Sequence, residues 1–202
     1  MRVKICGIKD AETALVCEAA GADAIGFVFV EKSKRYIHPE QAMEISFELG
    51  PLISRVGVFV NSPIMEVYQI ARKLRLDAIQ LHGNESEDYA AELSMEFKII
   101  KAVSFSKSLE LDSLYNYPAD SILLDGIKPG SGQAFSWHDA KELAEFPNLI
   151  LAGGLTADNV AEAIAILSPY AVDVSSGVED TLGNKDHEKI IEFIRKSKAA
   201  QL

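Results

Sequence analysis

A cysteine and a lysine lie two residues apart in the first apolar stretch of the chain, VKICG. Side chains alternate between the two faces of a strand, so Lys4 and Cys6 share one face while Val3 and Ile5 occupy the other. A thiol is a poor base near neutral pH unless a cation or a helix terminus lowers its pKa from roughly 8.5. The pair therefore fits two interpretations: a general base readied by Lys4, or a small buried hydrophobe beside a satisfied interior charge.

Two aspartates lie at the ends of later strand-like stretches. Asp125 closes SILLDG and shares a strand face with Leu123, and Asp173 lies in AVDVSS, one residue deeper in its strand. A carboxyl group at the edge of a site can act as a general acid. We expect that role for Asp125 and a supporting or orienting role for Asp173. The plain alternative is a solvated aspartate that caps the next turn.

Arg35 and His82 are candidates for binding a ligand. Arg35 lies in FVEKSKRYIHPE, a basic stretch in an acidic chain, and a guanidinium suits bidentate binding of a carboxylate or phosphate. We expect Lys32 and Lys34 in that stretch to be solvated charges. His82, in QLHGNE, fits a ligand contact or a hydrogen-bonded rim residue. Because the four histidines are scattered, with no pair at metal-ligand spacing, we expect no metal site.

The elements that must position these residues repeat as an apolar strand, a turn and an amphipathic helix. The strand-like stretches are VKIC, AIGFVF, SRVGVFV, DAIQLH, KIIKAV, SILLD, LILAGG and AVDVSS. Their spacing of roughly 20 to 30 residues suits parallel strands joined by helices. The pattern predicts an α/β fold, a closed (β/α)₈ TIM barrel in a single domain over residues 1–202, with an open doubly wound sheet as the alternative. We expect SFSKSLELDSLYNYP to be the weakest helix, in part irregular.

Glycines and serines in the last two units indicate a phosphate site. LILAGGLTADNV joins a strand to a helix start through two glycines, and AVDVSSGVED follows a strand with two serines and a glycine. Backbone N–H groups at such turns favour an anion, and the loops after strands seven and eight of a barrel frequently bind phosphate. Tight turns alone are the alternative for each glycine. We predict a phosphate site formed by Gly153, Gly154, Ser175, Ser176 and Gly177.

The composition of the chain limits the kinds of partner and the cellular compartment that we expect. The chain has 202 residues, 48% hydrophobic and 25% charged, with a formal net charge of −10. Apart from the short basic stretch around Arg35, no extended basic region could neutralise a phosphate backbone, so this charge argues against nucleic acid as a partner. We see no secretion signal and no apolar run of membrane-spanning length, so we expect no membrane association and a cytoplasmic protein. Two cysteines do not suggest a disulfide framework, and we expect Cys17 to be a buried hydrophobe.

Several motifs occur together in a specific order, namely KICGI, GFVFVEKSKRYI, VGVFVN, QLHG, LLDG, GSGQAFSW, LAGGLTADNV, VDVSSGVE and GNKDH. In this order and spacing they resemble the phosphoribosylanthranilate isomerase family of tryptophan biosynthesis. The resemblance extends over essentially the full length of the chain. KICG, SKRYI and DVSSGVE form its most specific set.

The resemblance implies a phosphorylated small-molecule substrate, no cofactor and no metal. The reaction it implies is an Amadori rearrangement of N-(5-phosphoribosyl)anthranilate to 1-(2-carboxyphenylamino)-1-deoxyribulose 5-phosphate. By this analogy Asp125 protonates the ribose ring oxygen, and Cys6 removes the proton at C2′. Arg35 holds the anthranilate carboxylate, and the glycine and serine loops hold the phosphate. The substrate-binding rim is then expected to include His82, Lys4 and Asp173.

One motif departs from the family pattern, and other barrel enzymes are alternative interpretations of the function. GSGQAFSW has Ser136 where the family usually has an aspartate, which bears on the closure of this loop, although a serine can still cap a helix near Trp137. A metal-assisted epimerase needs clustered ligands. A histidine-pathway isomerase is expected to have an aspartate at the position of Cys6 and a half-barrel repeat. The sequence has no clustered metal ligands, no aspartate at position 6 and no half-barrel repeat. Two alternatives stay open: an enzyme that accepts the histidine-pathway substrate as well as phosphoribosylanthranilate, and a non-catalytic phosphate-binding barrel. Both a monomer and a homodimer are compatible with the sequence.

Overall fold

Eight parallel strands pair in chain order and close into one barrel. This is a computed structural model, and it describes residues 1–106, 111–126 and 136–200. The strands are β1 (Arg2–Cys6), β2 (Ala24–Val28), β3 (Ser54–Phe59), β4 (Ala78–Leu81), β5 (Lys98–Ser104), β6 (Ser121–Asp125), β7 (Ile150–Leu151) and β8 (Ala171–Val174). Every strand is largely buried, because helices cover the outside of the barrel and side chains fill its inside.

Helices connect the strands and form the outer layer. The α-helices are α1 (Ala11–Ala19), α2 (Pro39–Glu48), α3 (Ile64–Leu74), α4 (Glu87–Ser94), α5 (Leu111–Asn116), α6 (Val160–Leu167) and α7 (His187–Ala199). A 3₁₀ helix, Trp137–Glu145, lies between β6 and β7, and a short one, Ser176–Val178, follows β8. Within the described residues, no helix is both long and apolar enough to cross a membrane.

The interior has two apolar regions of different character. The larger region lies between strands and helices and contains bulky side chains such as Phe27, Phe59 and Phe193, each worth about 1.5–3 kcal/mol when fully buried. Cys17 belongs to this region and is fully buried, as predicted. The smaller region is built from inward-facing strand residues, namely Val56, Ala78, Ile100, Ala102, Leu123, Ile150, Ala152 and Ala171. The barrel is therefore closed by packed side chains, and polar inward-facing residues lie toward the carboxyl ends of the strands.

The closed barrel confirms the predicted fold and shows the open doubly wound alternative to be wrong. All eight predicted strand-like stretches contain a strand, but LILAGG is a strand only over Ile150–Leu151. Its chain turns at Gly153, whose φ of +75° ends the extended conformation. The predicted weak helix is the six-residue helix α5, and residues 107–110 before it lie outside the described residues.

Candidate active site

A cavity of about 260 Å³ opens at the carboxyl ends of the strands. Nine of the eleven residues predicted for the site line it, namely Cys6, Arg35, His82, Asp125, Gly153, Gly154, Asp173, Ser175 and Ser176. The other two, Lys4 and Gly177, are not among the described residues that line it. Loops and strand ends that are far apart in the sequence therefore converge on one concave surface, as barrels require of their sites.

Lys4 and Asp173 form a buried ion pair beside Cys6. The two residues are direct partners on the neighbouring strands β1 and β8, and Lys4 Nζ lies 2.9 Å from Asp173 Oδ1. Gly26 on β2 leaves space for this group, because a Cβ there would lie 2.8 Å from Cys6 Sγ and 3.3 Å from Lys4 Cε. The shared face predicted for Lys4 and Cys6 is thus the inner face of the barrel. Lys4 is only 4% exposed.

Burial and the neighbouring charges shift the pKa of the Cys6 thiol in different directions. Burial raises the pKa of the Cys6 thiol, while the Lys4 ammonium and, more weakly, Lys185 lower it, and the Asp173 carboxylate raises it. The net direction is upward, so the thiol is protonated at neutral pH. Burial also opposes the charge of Lys4, but Asp173 and Cys6 outweigh it and raise the pKa of Lys4. Lys4 is therefore a cation, and its effect on the thiol has the predicted sign without being large enough to dominate.

Asp125 ends β6 at the wall of the cavity and is 7% exposed. Its Oδ1 accepts a hydrogen bond from the backbone N–H of Gly126 at 2.7 Å. Its Oδ2 lies 3.3 Å from Nε2 of His82, an ion-pair distance without the alignment of a full hydrogen bond. The carboxyl group is therefore fixed at the mouth of the barrel by a neighbour along the chain and by the loop after β4.

The loop after β4 is held by a second buried ion pair. Lys101 on β5 donates to Glu85 Oε2 at 2.8 Å and to the carbonyl of Gly83 at 2.6 Å. Glu85 in turn accepts from the backbone N–H groups of Asn61 and Gly83. Burial favours the neutral form of Glu85, but the hydrogen bonds from Lys101 and the Asn61 N–H, with the charge of Lys101, outweigh it and lower the pKa of Glu85. The loop that carries His82 is thus tied to the residues after β3 and to the middle of β5.

Arg35 is bound side-on by a carboxylate that the sequence analysis did not single out. Arg35 Nε donates to Glu179 Oε1 at 2.5 Å and Nη2 donates to Oε2 at 3.1 Å. Lys34 is exposed, as expected for a solvated charge, and its Nζ also lies 3.0 Å from Glu179 Oε2. Gly7 makes room for this cluster, since a Cβ there would lie 2.8 Å from Cδ of Arg35. The motifs KICG, SKRYI and DVSSGVE therefore meet at one point.

A third cation, Lys185, lies beneath the loop after β8. Its Nζ donates to the carbonyl of Ser175 at 2.8 Å and lies 3.2 Å from Glu179 Oε1. Burial lowers the pKa of Lys185 against the pull of Glu179. Ser175 Oγ donates to the carbonyl of Cys6 at 3.0 Å, which joins the end of β8 to the end of β1. One carboxylate is thus shared by three cations, so this side of the cavity favours an anion.

The glycines predicted for phosphate binding are also required by packing. A Cβ on Gly153 would lie 2.2 Å from the backbone nitrogen of Gly126 and 3.0 Å from Asp125 Oδ1. A Cβ on Gly177 would lie 1.8 Å from the carbonyl oxygen of Leu155. Gly154 also has a positive φ, +70°. The close approach of these loops explains why glycine stands here, whether or not an anion binds, so phosphate binding stays a prediction.

Four valines form an apolar wall that the sequence analysis did not predict. Val28 is the last residue of β2 and Val30 lies just beyond it, Val58 lies near the end of β3 and Val60 just beyond it, and all four line the cavity. The period-two spacing of each pair places both side chains on one face, and this pattern in the sequence could have identified the wall. The same cavity also contains charged side chains. An apolar wall in such a cavity suits a planar apolar part of a ligand.

The described residues contain no group of three or more histidine, cysteine, aspartate or glutamate side chains that could hold a metal ion. Ser136 precedes the 3₁₀ helix at Trp137, but its side chain makes no capping hydrogen bond, so the expected cap is wrong. The helix start is held instead by the backbone, where Asp139 N–H donates to the carbonyl of Ser136 at 3.1 Å. Residues 127–135 lie outside the described residues, so closure of this loop stays a prediction.

The whole chain is similar to proteins of one enzyme family. The family model for N-(5'phosphoribosyl)anthranilate (PRA) isomerase matches residues 3–196. The chain belongs to this family. A relative from Geobacter metallireducens, named N-(5'-phosphoribosyl)anthranilate isomerase, is 47% identical over 203 residues, which cover 98% of this chain and all of the relative.

Solved structures of the PRA isomerase family have the same fold. A dimeric phosphoribosylanthranilate isomerase from Thermotoga maritima, solved as monomers, matches with a TM-score of 0.90 at 43% identity, covering 98% of this chain and 99% of that one. A family structure in complex with reduced 1-(o-carboxyphenylamino)-1-deoxyribulose 5-phosphate matches with a TM-score of 0.90 at 44% identity and the same coverage. The PRA isomerase barrel thus accounts for the full architecture described above.

Proposed function

We propose that this chain catalyses the Amadori rearrangement of N-(5'-phosphoribosyl)anthranilate to 1-(2-carboxyphenylamino)-1-deoxyribulose 5-phosphate, in tryptophan biosynthesis. The observation that carries the proposal is that Cys6 and Asp125, a thiol and a carboxyl group from opposite parts of the barrel, line one cavity. An aldose–ketose rearrangement needs one group to give a proton and another to remove one, and both are present.

The first step opens the sugar ring. Asp125 gives its proton to the ring oxygen, the bond between that oxygen and C1′ breaks, and the oxygen keeps the electron pair. The lone pair of the anthranilate nitrogen forms a C1′=N bond, which makes an iminium cation. The N–H of Gly126, 2.7 Å from Asp125 Oδ1, stabilises the carboxylate that this step leaves behind.

The second step moves a hydrogen from C2′. The Cys6 thiolate removes the C2′ proton, the C–H pair forms a C1′=C2′ bond, and the iminium pair returns to nitrogen. The resulting enolamine loses its 2′-hydroxyl proton and gains one at C1′, which gives the ketone with no net oxidation. Because burial holds the thiol protonated, the iminium charge and the Lys4 ammonium must together favour the thiolate.

The charges and the apolar wall fit the parts of this substrate. Arg35 lines the cavity, and its bonds to Glu179 use Nε and Nη2, so Nη1 is the natural donor to the anthranilate carboxylate. The aromatic ring fits against Val28 and Val58 and their neighbours along the strands. The phosphate fits the loops at Gly153–Gly154 and Ser175–Gly177, with Lys185 beneath them.

Fresh N-(5'-phosphoribosyl)anthranilate tests the proposal, because its fluorescence disappears as it rearranges. The wild-type protein should accelerate this loss, and Cys6→Ala and Asp125→Asn should each lower kcat about 10²–10⁴-fold with little effect on KM. Cys17→Ala and Asp158→Asn are matched controls, since Cys17 is remote in the outer core and Asp158 is exposed. An inactive wild type that still binds the substrate would indicate a non-catalytic barrel, and turnover of the histidine-pathway substrate would indicate relaxed specificity.

We further propose that residues 1–202 act as one domain, in the cytoplasm, and as a homodimer rather than a monomer. The Thermotoga maritima relative is described as dimeric. At the amino-terminal end of this barrel, Leu52 is 94% exposed beside a cavity of about 590 Å³. An exposed apolar side chain next to a concavity suits a self-complementary interface. Light scattering should give a dimer mass for the wild type and a monomer mass for Leu52→Asp, and a monomeric wild type would contradict the homodimer.

A further inference from the structure

A buried amide lies behind the histidine that faces Asp125. Gln80 is inward-facing on β4, is 1% exposed and lines the cavity. Its Nε2 lies 3.0 Å from Nδ1 of His82, and Nε2 of that ring lies 3.3 Å from Asp125 Oδ2. The three side chains therefore form a row, Gln80–His82–Asp125, that ends at the proposed general acid.

The chemistry of a neutral imidazole allows one consistent assignment of protons along this row. One ring nitrogen carries a hydrogen and the other carries a lone pair. When Asp125 is a carboxylate, as it is once it has given its proton away, the oxygen opposite Nε2 needs a donor, which places the hydrogen on Nε2. Nδ1 then carries the lone pair and can only accept, and the amide N–H of Gln80 is the group that donates to it. The opposite tautomer would set the lone pair of Nε2 against the carboxylate of Asp125.

A second observation argues that Gln80 does more than fill space. Its Oε1 is buried and has no hydrogen-bond partner among the described residues. A buried polar atom without a partner is unfavourable, and an apolar side chain of the same size would avoid that cost. The contact that fixes the amide is the one to His82, so that contact is the function we assign to it.

We propose that Gln80 is a positioning residue that fixes the tautomer of His82, with the proton on Nε2, so that His82 donates to Asp125. In the ring-opening step Asp125 transfers its proton to the substrate oxygen and becomes a carboxylate. That carboxylate then accepts from two N–H groups, those of Gly126 and His82. Catalytic hydrogen bonds are often poorly aligned before substrate binds, which fits the 3.3 Å contact. The catalytic consequence rests on the function proposed above, whereas the tautomer itself does not.

Nitrogen NMR on histidine-labelled protein measures the tautomer directly and needs no substrate. The chain has four histidines, and the spectrum of His82→Gln identifies the signal of His82 by its loss. Recorded at a pH where the histidine rings are neutral, the wild-type spectrum should show the hydrogen of His82 on Nε2. Gln80→Leu should remove this preference. Gln80→Glu should reverse it, because a carboxylate accepts from Nδ1–H.

Steady-state kinetics then measure the consequence. Gln80→Leu should lower kcat about tenfold while KM changes less than about twofold, since one hydrogen bond to a developing charge is lost and no substrate contact is. Gln80→Glu should lower kcat by about tenfold or more. Gln69→Leu and Gln69→Glu, at an exposed position of α3, are matched controls and should leave both the ring signals and kcat unchanged.

The outcomes separate the two proposals. A wild-type ring with its hydrogen on Nδ1, or a Gln80→Leu variant with unchanged ring signals and unchanged kcat, overturns the role of Gln80. If Gln80→Leu does not fold, the wild-type spectrum and Gln80→Glu decide the question. A protein that does not turn over N-(5'-phosphoribosyl)anthranilate refutes the proposed function, while the ring signals still report the tautomer.

Discussion

Arg35 and Glu179 form a two-point ion pair at the mouth of the barrel, with Nε 2.5 Å from Oε1 and Nη2 3.1 Å from Oε2. The two residues lie 144 positions apart in the chain, one after β2 and the other after β8. Two parallel bonds fix the plane of a guanidinium as well as its position. The group proposed to bind the anthranilate carboxylate is therefore oriented by the protein before it meets a ligand.

Glu179→Gln should weaken substrate binding without slowing the chemical step. A neutral amide cannot hold the guanidinium at two points, so Arg35 loses its orientation, and we expect KM to rise roughly tenfold with kcat within about twofold. The free energy of unfolding should fall by about 3 kcal/mol, because buried cations lose the carboxylate that pairs with them. Steady-state kinetics and urea denaturation measure the two effects, with Glu162→Gln on the exposed face of α6 as the control.

Coupling to Arg35 distinguishes this mechanism from a general loss of structure. In an Arg35→Ala background, Glu179→Gln should add little to KM, because the group that it orients is already absent. If the two substitutions multiply in their effects on KM, Glu179 acts through something other than Arg35.

The same carboxylate predicts how stability depends on acid. Hydrogen bonds from Arg35 and Lys34 and the charge of Lys185 overcome burial and lower the pKa of Glu179 from 4.5 to about 2. A depressed pKa in the folded state means that the stabilisation is complete above the unfolded value and is lost as pH falls from about 4.5 toward 2. The melting temperature of Glu179→Gln should therefore fall less steeply than that of the wild type over this range. Parallel curves would show that Glu179 does not contribute to acid unfolding.

The fold could be predicted because its signals are local. Apolar runs of strand length recur at the spacing of βα units, and each run marks where a strand lies. One departure is β7, where the predicted stretch LILAGG extended the strand through Gly154. The run is apolar through Ala152, but the turn at Gly153 and the approach of Gly126 are tertiary facts that no local pattern contains.

The candidate site could be predicted only in part, for a related reason. Residues at strand ends converge in any barrel, so Cys6 and Asp125 could be placed at one rim from the order of the strands. Their partners depend on distances between loops. Glu179 lies in a motif that the sequence analysis quoted, yet its bond to Arg35 follows from how two loops fold over the barrel. Gln80 lies in the predicted strand DAIQLH, but the sequence analysis did not select it, because its contact with His82 depends on side-chain geometry.

Gly153→Ala should damage both stability and activity. A methyl group there meets the backbone nitrogen of Gly126 at 2.2 Å and Asp125 Oδ1 at 3.0 Å, at a φ of +75° that side chains disfavour. We expect a loss of more than about 2 kcal/mol in unfolding free energy and at least a tenfold drop in kcat through displacement of Asp125. Gly21→Ala is the control, since its φ is +89° but its nearest contact is at 3.7 Å. Gly21→Ala should lower the free energy of unfolding by only about 1–2 kcal/mol, because only the positive φ disfavours the new side chain, and kcat should not change. Equal losses in the two variants would show that φ, and not the approach to Gly126, requires the glycine.

Lys4→Met should raise the pKa of the Cys6 thiol further and lower kcat. The Lys4 ammonium opposes the effect of burial on the thiol pKa, so its removal leaves burial and Asp173 opposed by the weaker effect of Lys185. In a Cys17→Ala background, where Cys6 is the one remaining cysteine, thiol alkylation as a function of pH measures this directly. We expect alkylation at a fixed neutral pH to slow about tenfold, because the thiol pKa is higher. The free energy of unfolding should fall by about 3–5 kcal/mol, because Asp173 loses its partner inside the barrel.

The double variant Lys4→Met/Asp173→Asn separates the two roles of Lys4. Removing both charges ends the cost of an unpaired buried carboxylate, so stability should recover toward the wild type. The thiol pKa should fall below that of Lys4→Met, because Asp173 also raises it, but should stay above that of the wild type, since Lys4 is the stronger influence. If stability recovers and the alkylation profile of Lys4→Met already matches the wild type, Lys4 is a satisfied interior charge. A shifted profile in Lys4→Met that persists in part in the double variant identifies it as the cation that readies the thiol.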